Sequence, residues 1–123
     1  MSEKNTNVGS DVKKRMYVWS LNLIRTLDAL PYRTSSDILS KQLIRSGTSV
    51  VANYLEAQAA VSRKDFTNFM AIALKSANES KYWLTLFRDL KKIKPEQYKV
   101  LFTEVDEFSR ILGASVVTLK KKR

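Results

Sequence analysis

Arg45, Ser49, Asn53 and Glu56 recur at steps of four, four and three in a segment that otherwise reads as buried helix, so they share one helical stripe. Ser76 and Glu79 place a second polar pair inside the apolar series Phe69, Ile72, Trp83 and Leu86. A buried carboxylate or amide is costly unless the protein itself bonds it. The six residues therefore mark either a hydrogen-bonded seam between helices or a reaction site. Glu56 and Glu79 are the residue types a hydrolase would use as acid and base. No nucleophile, metal-ligand set or phosphate-binding loop accompanies them, which weighs the seam over catalysis. In such a seam Arg45 pairs with Glu79 or Glu56, while Ser49, Ser76 and Asn53 complete the bonding and fix helix register. Replacing Glu79 by Ala is then expected to cost a few kcal/mol, because a partner loses its acceptor.

Composition narrows the chemistry further. The 123 residues contain no Cys and no His. Disulfides, thiolate chemistry and the commonest general base are excluded, as is a di-iron bundle built on Glu-x-x-His. No cofactor or metal site is expected. Lys and Arg number 22 against 12 Asp and Glu, a net charge of +10 that favours polyanionic partners, above all RNA or DNA. No run of about 18 apolar residues is available to cross a membrane. Met1 to Ser10 is polar and lacks the apolar core of a secretory signal, so a cytoplasmic location is expected.

With only 3 Gly and 2 Pro, the chain reads as a few long helices. Residues 1–10 form a disordered lead-in, 11–119 the folded domain and 120–123 a basic tail. Helix 1 runs from Asp11 to Leu30, with Val12, Met16, Trp19, Leu23, Leu27 and Leu30 at helical steps and Pro31 beyond. Thr34-Ser35-Ser36-Asp37 has capping-box spacing and opens helix 2, which continues to Ala60 over Leu39, Leu43, Gly47, Val50, Tyr54 and Ala57. Gly47 is read as permitting close helix approach. Ser62-Arg63-Lys64-Asp65 is a second capping box, opening helix 3 over Phe66, Met70, Ala73, Ala77, Ser80, Leu84 and Phe87. Pro95 suits the first position of helix 4, whose stripe is Tyr98, Leu101, Val105, Phe108, Leu112, Ser115 and Leu119. Four amphipathic helices with short connections predict an all-α, up-down-up-down antiparallel four-helix bundle.

Two features point outward from a single bundle. Helix 3 carries a second apolar stripe containing Trp83 and Leu86, and helix 2 adds Ile44, Val51 and Leu55. One bundle needs about 100° of apolar face per helix; the surplus is best buried by self-association, with Trp83 and Leu86 in the contact. The second feature is charge. The start of helix 1, the helix 2–3 connection and the end of helix 4 meet at one end, which gathers Lys13, Lys14, Arg15, Arg63, Lys64, Lys120, Lys121, Lys122 and Arg123. The other end carries Lys91, Lys92 and Lys94, with Arg33 and Arg88, diluted by Asp37, Asp89 and Glu96. Both clusters suit phosphate contacts without base-specific reading.

The run Gln42-Leu43-Ile44-Arg45-Ser46-Gly47-Thr48-Ser49-Val50-Val51-Ala52-Asn53-Tyr54-Leu55-Glu56 resembles the signature of the bacterial four-helix bundle proteins, also called 23S rRNA intervening-sequence proteins. Arg63-Lys64-Asp65-Phe66 followed by Ala73-Leu74-Lys75-Ser76-Ala77-Asn78-Glu79 resembles the family's second motif. The likeness covers residues 12 to 119, with helices 1 and 4 matching in pattern only. Family members often carry Gly after the motif Glu; Ala57 stands there here, so helix 2 is expected to run on past Glu56. The resemblance implies a ring-like homopentamer and no enzymatic activity. It also connects the chain to accessory proteins of diversity-generating retroelements, which bind nucleic acid and a reverse transcriptase. The leading expectation is a non-enzymatic oligomer binding RNA or DNA through phosphates. The alternatives are an interaction scaffold docking a nucleic-acid enzyme such as a reverse transcriptase, or a hydrolase using Glu56 and Glu79.

Overall fold

Val12, Met16, Trp19, Leu23 and Leu27 recur at steps of four, three, four and four, and each is buried along the first helix. The computed structural model describes the backbone of residues 8–121 and the side chains of residues 11–121. Expectations that fall on residues 1–7, Lys122 and Arg123 lie outside the described residues. Four helices follow: α1 (Val8–Asp28), α2 (Thr34–Ala59), α3 (Arg63–Asp89) and α4 (Pro95–Lys121). Among the described residues there is no strand. The first helix opens at Val8, so residues 8–10 belong to it and not to the lead-in. It ends two residues short of Leu30, where Pro31 supplies no N–H to extend it.

The helix boundaries differ in how their backbone groups are satisfied. Ser62 caps α3 as its spacing predicts, its Oγ accepting the Asp65 N–H at 3.1 Å. The similar Thr34 motif does not form a capping box. Arg33 is the residue before α2 and gives no side-chain cap. The Ser35 and Ser36 hydroxyls instead accept from Lys92 Nζ, at 2.9 and 2.8 Å. At the far end of α3, Lys91 takes a left-handed backbone, φ 55°, while Lys92 N–H reaches Phe87 O and Lys91 N–H reaches Arg88 O. That is the Schellman arrangement, with Lys where Gly is usual. Pro95 opens α4, and the N–H of Lys94 is taken by Gln97 Oε1 at 2.9 Å.

The four helices pack as a bundle around one core. Phe87, Phe108, Met16, Leu23, Leu43, Leu84 and Leu112 are fully enclosed within it. Trp19 meets Phe108 edge to face, its ring 6.2 Å away, and donates its indole N–H to Leu101 O at 2.9 Å. Gly47 does what its stripe position predicts: a Cβ there would lie 2.6 Å from Leu23 Cδ2 and 3.1 Å from the Trp19 ring. A side chain at that point would force Leu23 or the Trp19 ring of α1 to move. Contacts pair rising residue numbers on one helix with falling numbers on the next, as in Arg45 with Glu79 and Ser49 with Ser76, or Lys81 with Asp106 and Arg88 with Tyr98. The α2–α3 and α3–α4 contacts are extensive, whereas α1 sits more lightly on α2 and α4.

Part of the apolar surplus remains outside this core. Phe69, Trp83 and Leu86 are half-buried, while Ile72 and Leu90 on the same stripe of α3 are 44% and 54% exposed. Ile44 and Val51 pack against the core's edge, and Leu55 stays exposed.

Candidate functional site

The polar stripe of α2 meets that of α3 along the outer edge of their contact. The Arg45 guanidinium binds Glu79 Oε2 and the side-chain carbonyl of Gln42. Glu79 Oε2 also accepts the Trp83 indole N–H at 2.9 Å. One turn on, the Ser49 and Ser76 hydroxyls lie 2.8 Å apart, and Asn53 Nδ2 donates to the Ser49 carbonyl and hydroxyl at 2.9 and 3.0 Å. Deeper in the same contact, Ser46 and Ser80 are fully buried with their hydroxyls 2.8 Å apart. Ser80 donates onward to Ser76 O at 2.9 Å. No buried side-chain nitrogen or oxygen among the described residues lacks a partner.

Five of the six predicted seam residues therefore come together, and Glu56 does not. The register that sets Ser46 against Ser80 and Ser49 against Ser76 sets Glu56 against Phe69, which offers no donor. Glu56 is exposed and forms no ion pair among the described residues. It lies ten residues from the position facing Glu79, roughly 15 Å along the helix axis. An acid–base pair cannot operate across that gap. The Glu79 carboxyl is also held below its ordinary pKa, first by the Trp83 N–H and then by Arg45, with burial pushing the other way. A general acid needs the opposite shift. The arrangement is a helix–helix clamp.

Ser46 and Ser80 were not singled out as seam members by the spacing argument, because each falls on a stripe of otherwise apolar or small residues. Their signal is that both occupy core positions facing each other across one register. A further network, which no spacing in the sequence announces, ties α3 to α4: Lys81 Nζ reaches Asp106 Oδ1 at 3.2 Å and Ser109 Oγ at 3.0 Å.

The cations divide into committed and free. Arg15, expected at the basic end, instead bridges α1 to α4 through Glu104 at 2.7 Å and Glu107 at 3.1 Å, and lies over the Phe108 ring. Those contacts, Glu107 foremost and then Glu104, raise its pKa above the ordinary value. Lys92 is engaged with Ser35 and Ser36, and Arg88 with Asp89 and the Tyr98 ring. Lys13, Lys14, Arg63, Lys64, Lys91, Lys94, Lys120 and Lys121 are exposed and form no ion pair among the described residues. Six of these eight lie at the start of α1, the start of α3 and the end of α4.

The clefts do not contain the carboxylate pair. The most spacious of them, about 690 Å³, lies beside Thr26, Leu30, Pro31, Arg88, Lys91 and Lys94. One runs between α1 and α4 over Val18, Trp19, Val100 and Leu101, flanked by Asp11 and Glu104. Another lies between α1 and α2 beside Lys13 and Lys14. No group of three or more potential metal-ligating side chains occurs among the described residues. Among the described residues no helix is long and apolar enough to cross a membrane.

Known proteins give this geometry its relatives. No curated protein matches the chain. It is similar to a crystallised protein of unknown function from the S23 ribosomal protein family of Bacteroides thetaiotaomicron VPI-5482. The two share 35% identity over 88% of this chain and 96% of that one, with a TM-score of 0.80. The sequence profile of the 23S rRNA-intervening sequence protein matches residues 10–114, which include all of the polar clamp and, of the basic end, Lys13, Lys14, Arg63 and Lys64. The chain belongs to the 23S rRNA-intervening sequence protein family.

Proposed function

We propose that this protein is a non-enzymatic, up-down-up-down four-helix bundle that assembles into a homo-oligomeric ring, a pentamer, and binds RNA or DNA through phosphate contacts at its basic end. What supports the binding is that Lys13, Lys14, Arg63, Lys64, Lys120 and Lys121, near helix termini that an up-down-up-down bundle would bring to one end, are exposed and form no ion pair among the described residues. Lysines already neutralised inside the fold would have little to offer a phosphate; these have their charge to give. A ring repeats that cluster once per subunit and multiplies the +10 carried by each chain.

Self-association draws support from the stripe on α3. Trp83 and Leu86 stand half-buried between the exposed Ile72 and Leu90, beside the Arg45–Glu79 clamp. An apolar stripe of that length beside a satisfied polar centre suits a subunit contact.

Size-exclusion chromatography with light scattering, combined with RNA-binding isotherms at several salt concentrations, tests both parts. The expected outcome is a multiple of the subunit mass and an affinity that falls steeply with salt, by about 0.7–0.9 in log–log slope per phosphate engaged. An affinity that barely responds to salt would rule out phosphate binding by these lysines.

A further inference from the structure

Tyr17 is 59% exposed at the basic end and stands in a cleft of about 410 Å³ between α1 and α2. The rest of the lining is Lys13, Lys14, Val51 and Leu55. No carboxylate among the described residues contributes to it. The other aromatic side chains near the surface are differently placed. Tyr32 borders a cleft that also contains Asp28 and Asp37. Tyr82 rests against the Trp83 ring, and Tyr98 lies against Phe102 and under Arg88.

A duplex offers this cleft only phosphates, since its bases are stacked inside and paired. Lysines alone would serve for that contact, and an exposed ring over an apolar floor would add nothing. An unpaired nucleotide uses every part of the lining. Its base presents a π-face to Tyr17 and its apolar edge to Val51 and Leu55, while the phosphates on either side fall to Lys13 and Lys14. A second copy of this chain is a poorer occupant, because packing an apolar face there would bury two lysines without partners.

We infer that the α1–α2 cleft receives an unpaired base, which makes single-stranded nucleic acid the ligand class of the basic end. This rests on the nucleic-acid role proposed above and narrows it. Fluorescence anisotropy with an end-labelled oligouridine and an RNA duplex of equal length separates the two. The proteins compared are the full chain, Tyr17→Ala and Tyr17→Phe, each checked for helix content and mass. Tyr17→Ala should weaken single-strand binding at least about fivefold and leave duplex binding within about twofold, while Tyr17→Phe keeps the parent affinity. An equal change on both probes, or none, overturns the inference and leaves phosphate binding standing. So does a loss accompanied by altered mass, which would place Tyr17 in a subunit contact, or a loss as large for Tyr17→Phe. If the parent chain binds neither probe, the nucleic-acid role falls and the inference falls with it.

Discussion

At the scale of single residues, the Glu79 carboxylate joins two side chains, Arg45 from α2 and Trp83 from α3, while remaining about a third exposed, at 32%. Its burial is less than the sequence implies, and that changes the expected energetics. An ion pair this open to solvent contributes little, so most of the loss in Glu79→Ala comes from the Trp83 and Arg45 hydrogen bonds. A cost of about 1 kcal/mol, read from urea unfolding, replaces the larger penalty expected of a buried acid. The pH dependence has a definite sign. A carboxyl with a depressed folded-state pKa stabilises above its unfolded value of about 4.3, and loses that contribution as pH falls through the folded value. The stability gap between the parent chain and Glu79→Gln should therefore narrow on acidification from about pH 6 to about pH 3. The Arg45–Glu79 pairing was legible because both residues are long, charged and set among apolar neighbours. Glu56 was misplaced because a shared stripe on α2 says nothing of what α3 presents opposite, and there α3 presents Phe69. Ser46 and Ser80 went unread for a related reason: a hydroxyl in a helix can bond its own backbone, so its type does not announce a cross-helix partner.

Helix boundaries show where local sequence decides and where the fold overrides it. Ser62-Arg63-Lys64-Asp65 and Thr34-Ser35-Ser36-Asp37 look alike on paper, yet only the first caps its helix with a side chain. In the second the helix starts one residue earlier, so the Asp37 N–H that a capping Thr34 would bond goes to Arg33 O at 2.9 Å. The core stripes were readable almost completely, because steps of three and four over more than twenty residues leave one face to bury. The extension of α2 to Ala59, expected from Ala57, is present as well. The left-handed turn at Lys91 was not readable, since Lys carries no preference for it. A Cβ is strained in that backbone region and Gly is not. Lys91→Gly should therefore raise the unfolding free energy by about 1 kcal/mol, measurable as a higher urea midpoint. A lower midpoint would mean that the lysine side chain contributes more than its backbone costs.

For the whole molecule, Trp83 and Leu86 lie some twenty residues along α3 from Arg63 and Lys64, roughly 30 Å, so the proposed assembly and the proposed nucleic-acid binding can be tested by separate mutations. Leu86→Lys places a charge in the proposed subunit contact, at a side chain only half-buried in the chain itself. Light scattering should then report the mass of one subunit, with helix content unchanged by circular dichroism. An unchanged mass would move the contact elsewhere. Neither subunit number nor ligand can be read from periodicity, because both depend on surfaces that a single chain's core packing does not constrain.

The chain holds just two indoles, and the fold gives them opposite surroundings: Trp19 is sealed at 2% exposure, while Trp83 sits on the flank beside Glu79. The molecule thus carries its own pair of lamps, one dark to solvent quenchers and one lit toward them. In a lone subunit acrylamide will read the second almost alone, and a second subunit or any other neighbour that settles over α3 will shade it without a dye being attached.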